Sequence, residues 1–236
     1  MSQIKLITLD LDNTLWDVDS IIVKAEADMV QWLQDNVPDS LEHYQGDTLT
    51  DIRTQVFTEF QHKNHDLSFM RTQVLYEVIR RTGVATSEAR RHAQSAFDVF
   101  FAGRNRVEFF PGALDMLEAL SGRFLIYALT NGNADIEHAG LSDFVSGAYS
   151  SADVGVKKPH PNMFHAPLTE LALDPAQAIH IGDNLVDDIQ GAADVGMHSV
   201  WVNLTGHQRL PDDADPSREV VDLHSVAAAV ADISSA

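Results

Sequence analysis

The 236-residue chain predicts an α/β fold, a parallel sheet with helices on both faces, interrupted near its start by an inserted helical bundle. Three observations carry that expectation. The apolar run Leu6-Ile7-Thr8-Leu9 ends abruptly in Asp10-Leu11-Asp12-Asn13-Thr14, the form of a buried parallel strand whose carboxyl end holds polar groups. From about Asp17 to Arg104 apolar residues recur at helical spacing, with no strand among them. From Phe109 onward, short apolar runs alternate with amphipathic segments, as in a sheet wound on both sides. The expected architecture is a Rossmann-like, three-layer core of residues 1–16 and 105–236, with residues 17–104 as a helical cap.

Within the cap stretch, Ile21, Ile22, Ala25, Met29, Trp32 and Leu33 share one helical face, and Asn36-Val37-Pro38 punctuates its end. A second helix from about Thr48 to Gln61 carries Leu49, Ile52, Val56 and Phe60, and a third carries Phe69, Val74, Leu75, Val78 and Ile79. The third stops at Thr82-Gly83, where glycine can take the left-handed conformation. Thr86-Ser87-Glu88 reads as the capping region of a fourth helix, which runs through Ala93, Ala96, Phe97, Phe100 and Phe101. Four such helices in succession make a small bundle.

The core resumes with a helix opened by Phe110-Pro111-Gly112 and a strand at Phe124 to Leu129 that ends in Thr130-Asn131. A helix is expected through Ile136 to Leu141, a short strand at Ala148 to Ser150, and a helix opened by Pro161. Ala178 to Ile181 reads as a strand ending at Gly182-Asp183, followed by a helix from Leu185 to Val195 and a strand from Ser199 to Val202. Gly206 to Arg218 reads as loop and Val220 to Ile233 as the terminal helix.

Composition narrows the function. With 16 basic against 35 acidic residues the net charge is −19, a field that repels nucleic acid backbones. A small anionic substrate stays possible if a metal and a lysine reverse the potential locally. No run approaches the length of a membrane span, and the absence of cysteine removes disulfides, thiolate metal sites and thiol nucleophiles. The first strand begins too near Met1 to leave space for a signal sequence, so a cytoplasmic location is expected, as monomer or homodimer. His62 with His65 and His160 with His165 fit no metal motif and read as surface or packing residues.

An isolated Asp-x-Asp is ordinarily a turn. Here other strand ends add to it. Parallel strands would gather Asp10, Asp12, Thr14, Thr130, Asn131, Lys158 and Asp183, with Asp187 and Asp188, at one edge of the sheet. Carboxylates, one ammonium and small hydrogen-bonding side chains suit Mg²⁺ together with a phosphate. An insertion directly after the first strand would hang over that edge as a lid.

The series Asp10-Leu11-Asp12-Asn13-Thr14, Thr130-Asn131, Lys158-Pro159 and Gly182-Asp183-Asn184-Leu185-Val186-Asp187-Asp188 resembles the four motifs of the haloacid dehalogenase superfamily, in order and with a cap between the first and second. The resemblance implies Asp10 as nucleophile, Asp12 as general acid and base, and Thr130 and Asn131 as phosphate ligands. It implies Lys158 as the cationic clamp, and Mg²⁺ held by the Asp10 carboxylate, the Asp12 carbonyl and Asp183. Thr14 and Asp188 would support the site; Asp187, adjacent to Asp188, competes for the role of last acid, and Lys157 reads as solvated. In the superfamily's dehalogenases, as the resemblance has it, position 12 lacks the acid, so Asp12 points to a phosphatase acting on a small phosphorylated metabolite. The pattern looks most like capped phosphatases of flavin mononucleotide (FMN) and related riboflavin-pathway phosphates, although His160 stands where relatives often have aspartate. Substrate choice is expected from the cap, with Trp16 and the residues after it approaching the leaving group. A dehalogenase or phosphomutase on the same fold, or a non-catalytic binding protein, is the alternative.

Overall fold

The computed structural model describes residues 3–235. The chain divides into two compact units, Met1–Asp17 with Glu108–Ala236, and Val18–Val107. Among the described residues no helix is long and apolar enough to cross a membrane.

The first unit opens with β1 (Leu6–Leu9), all four residues buried. The chain then enters the second unit, built of α1 (Val18–Asn36), α2 (Gly46–Glu59), α3 (Leu67–Arg80) and α4 (Thr86–Arg104). Ala25, Met29 and Leu33 of α1 pack against Ala89, Ala93, Ala96, Phe97 and Phe100 of α4. Small residues let the two helices approach closely: a Cβ on Gly103 would stand 3.0 Å from Ala25. Ile52 and Val56 of α2 join Met70, Val74 and Val78 of α3 in a second cluster. Short 3₁₀ turns at Pro38–Glu42 and Gln61–Lys63 make the connections. The start of α4 differs from expectation, because Ala85 is the N-cap and no side chain caps the helix.

Back in the first unit come α5 (Ala113–Ser121), β2 (Leu125–Thr130), β3 (Gly147–Ser150), α6 (Ser151–Val154), α7 (Pro161–Glu170) and β4 (Ala178–Gly182). A π-helical turn (Leu185–Gln190), α8 (Gly191–Asp194), β5 (His198–Val202), β6 (Arg218–Val220) and α9 (Val226–Ser235) complete it. The six strands form one parallel sheet in the order β3-β2-β1-β4-β5-β6, with helices on both sides, so the α/β expectation holds. Leu6, Tyr127, Leu129 and Ala178 share one face and meet Met163, Phe164, Leu168 and Ala192 from α7 and α8. Period-two alternation puts Thr8 and His180 on that face too, directly paired across β1 and β4.

Two expected elements are corrected. Residues Ile136 to Leu141 form turns and no helix: the Asp135 carboxylate takes the N–H groups of Glu137 and His138, and Gly140 adopts a φ of 76°. The terminal helix starts at Val226, because Arg218–Val220 pairs with β5 as an edge strand and Asp222 then caps a 3₁₀ turn.

Candidate active site

Because β1 lies between β2 and β4, three strand ends meet at one point on the carboxyl edge of the sheet. Asp10 follows β1 and its N–H still bonds the Ile181 carbonyl of β4 at 2.9 Å. Thr130 closes β2, and Asp183 follows β4. Lys158 arrives from the loop after α6, buried, with its Nζ 2.6 Å from Asp10 Oδ1 and 2.6 Å from Asp188 Oδ1. The hydroxyl of Thr14 stands between two carboxylates, 3.0 Å from Asp10 Oδ2 and 3.1 Å from Asp183 Oδ1. It has one proton to give, so at any moment only one of them receives it.

Each charged group is held by its own bracket. Asn131 clamps the Lys158 backbone from both sides, accepting its N–H at 2.6 Å and donating to its carbonyl at 3.0 Å. The same amide nitrogen donates to Asp187 Oδ2 at 3.1 Å. The Asn131 side chain is thereby committed to Lys158 and Asp187. Thr130 differs: its hydroxyl accepts the Gly132 N–H at 2.8 Å and keeps its own proton for another acceptor. Trp201 fixes Asp183 from behind, its indole N–H donating to the Asp183 carbonyl at 2.8 Å.

The choice between the adjacent acids, open in the sequence, is resolved by the wide π-helical turn. Asn184 caps this turn, accepting the N–H groups of Val186 and Asp187, and its own N–H donates to Asp188 Oδ2 at 2.9 Å. Asp188 is directed inward onto Lys158, while Asp187 is half-buried and holds Asn131. Gly182 makes the space, since a Cβ there would lie 2.3 Å from the Asp188 side chain.

Sequence reasoning passed over His180. Fully buried in β4, it places Nε2 3.0 Å from Asp188 Oδ1 and Nδ1 2.8 Å from the Thr8 hydroxyl, with Phe164 edge-on at 5.1 Å. An ionised Asp188 can only accept, so Nε2 donates, and the neutral ring accepts from Thr8 at Nδ1. The signal was available: two polar residues, Thr8 and His180, each interrupt an apolar strand.

Trp16 corrects another expectation. It is fully buried in the first unit, edge-on to Phe109 at 5.7 Å, and its indole N–H donates to Asp12 Oδ1 at 2.9 Å. It is a partner of Asp12 and no part of a surface open to a leaving group.

Carboxylate oxygens of Asp10, Asp183 and Asp188 lie within 4.8 Å of one another. With all three carboxylates ionised, the one ammonium would leave a deficit of two positive charges. Burial pushes Asp10 up to about 8, against the pull of Lys158, and burial with the neighbouring Asp188 pushes Asp183 up to about 6. For Asp188 burial acts the same way but is outweighed by Lys158 and His180, which hold it below the usual carboxylate range. Burial would lower Lys158, yet Asp10 and Asp188 together keep it above the ordinary lysine value. Burial lowers His180, in keeping with a neutral ring. Carboxylates that hold protons this tightly, in an all-oxygen cluster short of two charges, fit a hard divalent cation. The Asp188 oxygens accept from Lys158, His180 and the Asn184 N–H, and those of Asp10 from Lys158 and Thr14.

A family profile described as haloacid dehalogenase-like hydrolase matches residues 4–196. The 5-amino-6-(5-phospho-D-ribitylamino)uracil phosphatase of Escherichia coli (strain K12) is 28% identical over 86% of this chain and 84% of its own. The phosphoserine phosphatase of Thermus thermophilus is 34% identical over 66% of this chain and 63% of its own. A crystal structure of a 2-haloacid dehalogenase from Pseudomonas syringae pv. Tomato superposes with a TM-score of 0.90 at 36% identity, covering 97% of this chain and 99% of that one.

Two expectations follow. The folded protein keeps a proton on Asp10 to about pH 8, whereas the unfolded chain releases it near 3.8. Between those values the folded state binds more protons, so the metal-free protein is expected to lose stability as pH rises from about 4 to about 8. Adding Mg²⁺ should restore more stability at pH 8 than at pH 5, and Asp10→Asn should flatten the slope; urea midpoints across the range check this, and a rising slope would contradict it. In a second series, His180→Leu should lower stability by about 1–3 kcal/mol by removing a donor from a buried carboxylate. Gly182→Ala should lower it by a similar amount, about 1–3 kcal/mol, by crowding Asp188.

Proposed function

The chain belongs to the haloacid dehalogenase-like hydrolases, and from that membership we propose that it is a Mg²⁺-dependent phosphatase of small phosphate monoesters. One observation supports the reading most: Lys158 Nζ lies 2.6 Å from both Asp10 and Asp188, in a cluster short of two positive charges. Mg²⁺ would be held by the carboxylates of Asp10 and Asp183 and the carbonyl oxygen of Asp12. When bound, it supplies the positive charge that keeps Asp10 ionised beside a phosphate.

Asp10 attacks phosphorus, the bond from phosphorus to the leaving oxygen breaks, and Asp12 gives that oxygen its proton. The alcohol departs, leaving an aspartyl-phosphate. Asp12 then takes a proton from water as the water oxygen attacks phosphorus, which frees inorganic phosphate and regenerates Asp10. Lys158 offsets the charge on the transferring group, and the Thr130 hydroxyl donates to one of its oxygens. Asn131 contributes by holding Lys158 in place. The Escherichia coli relative is named for a ribityl phosphate on a heterocycle, so we take the substrate to be an ester of that type, FMN or a close analogue. The helical unit Val18–Val107 is where selection of the leaving group would lie.

The Pseudomonas syringae structure favours a second reading, a dehalogenase in which Asp10 displaces halide from carbon. Asp12 weighs against it, because halide leaves without a proton whereas an alkoxide needs one.

Purified protein with Mg²⁺ should release phosphate from para-nitrophenyl phosphate and, in a screen of phosphorylated metabolites, from FMN or a related ribityl phosphate. EDTA should stop turnover and Mg²⁺ restore it. Asp10→Asn should lower kcat by at least about 10³-fold with the fold intact by circular dichroism. Halide release from 2-chloropropionate without metal, and no phosphate release, would establish the second reading instead.

A further inference from the structure

A general acid is effective only if its proton points at the departing atom, and a half-buried aspartate has two torsions with which to turn away. Asp12 lies beyond the end of β1, outside the sheet ladder that fixes Asp10. One restraint on it is local. The backbone of residues 12–16 folds back on itself: the Asn13 N–H bonds the Trp16 carbonyl at 2.8 Å, Asn13 takes a φ of 62°, and Asp12 and Trp16 form a bridge. A second bridge joins Trp16 to Phe109, and the Phe110 N–H bonds the Leu15 carbonyl at 2.8 Å. The indole is therefore anchored on both sides, fully buried, and edge-on to Phe109. From that mount its N–H reaches Asp12 Oδ1 at 2.9 Å.

We propose that Trp16 is the positioning residue for Asp12, its indole N–H holding Oδ1 and with it the direction of the carboxyl group. The assignment rests on the phosphatase reading. An indole nitrogen is a donor only, so it cannot take the acid's proton or exchange roles with it. An Oδ1 lone pair accepts this N–H whether Asp12 is ionised or protonated, so the restraint persists through both half-reactions. Trp16 touches no reacting atom in this scheme; it acts through Asp12.

The consequence is a dependence on leaving group. An aryl ester such as para-nitrophenyl phosphate departs as a stable anion and needs little protonation, whereas an alkyl ester such as glycerol phosphate or FMN needs the acid fully. Trp16→Phe keeps the ring and the contact with Phe109 and removes only the N–H. With Mg²⁺ present throughout, its kcat/KM for the alkyl ester, which reports the first half-reaction alone, should fall about 10- to 100-fold, a fraction of what general acid catalysis supplies, with less than about a threefold change in kcat/KM for the aryl ester. Phe109→Leu disturbs the same packing but leaves the N–H, so it should shift both esters alike. If Trp16→Phe lowers both esters equally, Trp16 is a packing residue and the proposal fails while the phosphatase reading stands. If the wild-type protein turns over neither ester, both fail together. A readout that needs no turnover accompanies these: the Trp16 indole proton resonance should move upfield in Asp12→Ala, and an unmoved resonance overturns the pairing even if Trp16→Phe does not fold.

Discussion

Three carboxylates and one ammonium converge behind the central strand, and none of the three can move out into water without breaking a bond that holds another. Buried ion pairs contribute little to stability, because the cost of stripping water from each charge roughly cancels the attraction between them. A cluster left short of positive charge is worse than neutral for the fold. Its persistence here depends on a set of neutral brackets: Asn131 on the Lys158 backbone, Asn184 and His180 on Asp188, Thr14 between Asp10 and Asp183, and Trp201 on the Asp183 carbonyl. None of these partners adds charge, so the deficit is held in place and not relieved. That is the condition under which a divalent cation and an anionic substrate gain most from binding.

The sheet order makes this convergence possible. With β1 flanked by β2 and β4, residues 10, 130 and 183 reach the same edge although they are far apart along the chain. Register does a second task one step further in. Thr8 and His180 are cross-strand partners on β1 and β4, so strand pairing sets the inner link of the chain of hydrogen bonds that runs on through Asp188 of the π-helical turn to Lys158. A shift of one residue between these strands would turn one of the two side chains to the opposite face and break the Thr8–His180 link.

What was legible in the sequence, and what was not, follows from the range of the forces involved. Asp10, Lys158 and Asp183 could be placed together from strand ends alone, since parallel pairing is a rule about topology. Asp187 and Asp188 could not be separated, because the side-chain directions there are set by a π-helical turn whose widening depends on the Asn184 cap. The hold of Asn131 on the backbone of residue 158 is a contact across 27 positions that no local pattern announces. Trp16 is expected near the leaving group from its place at the start of the cap stretch, yet it is buried and edge-on to Phe109, which follows the inserted unit in the chain. The strand at Arg218–Val220 falls where the sequence pattern passes from expected loop to expected helix: three residues have no periodicity of their own and gain their form from pairing with β5. Ile136 to Leu141 failed in the opposite sense. Its apolar spacing suited a helix, but Asp135 captured the first N–H groups and Gly140 turned the chain before a second turn could add.

Fold likeness by itself does not separate the two chemistries within reach of this site. A 2-haloacid dehalogenase structure superposes at a TM-score of 0.90, while a phosphatase is similar over 86% of the chain. The separation has to come from what the leaving group demands. Displacing a halide from carbon asks for a carboxylate nucleophile and a place for the anion, and a proton donor beside the departing atom adds nothing. Displacing an alkoxide from phosphorus asks for that donor, and it must be aimed. Here position 12 carries an acid, and that acid is tied by 2.9 Å to an indole which two backbone bridges and an aromatic edge hold still. An aspartate held in this way suits a reaction that wants its proton at one point in space, and that is the ground on which we propose ester hydrolysis over halide displacement.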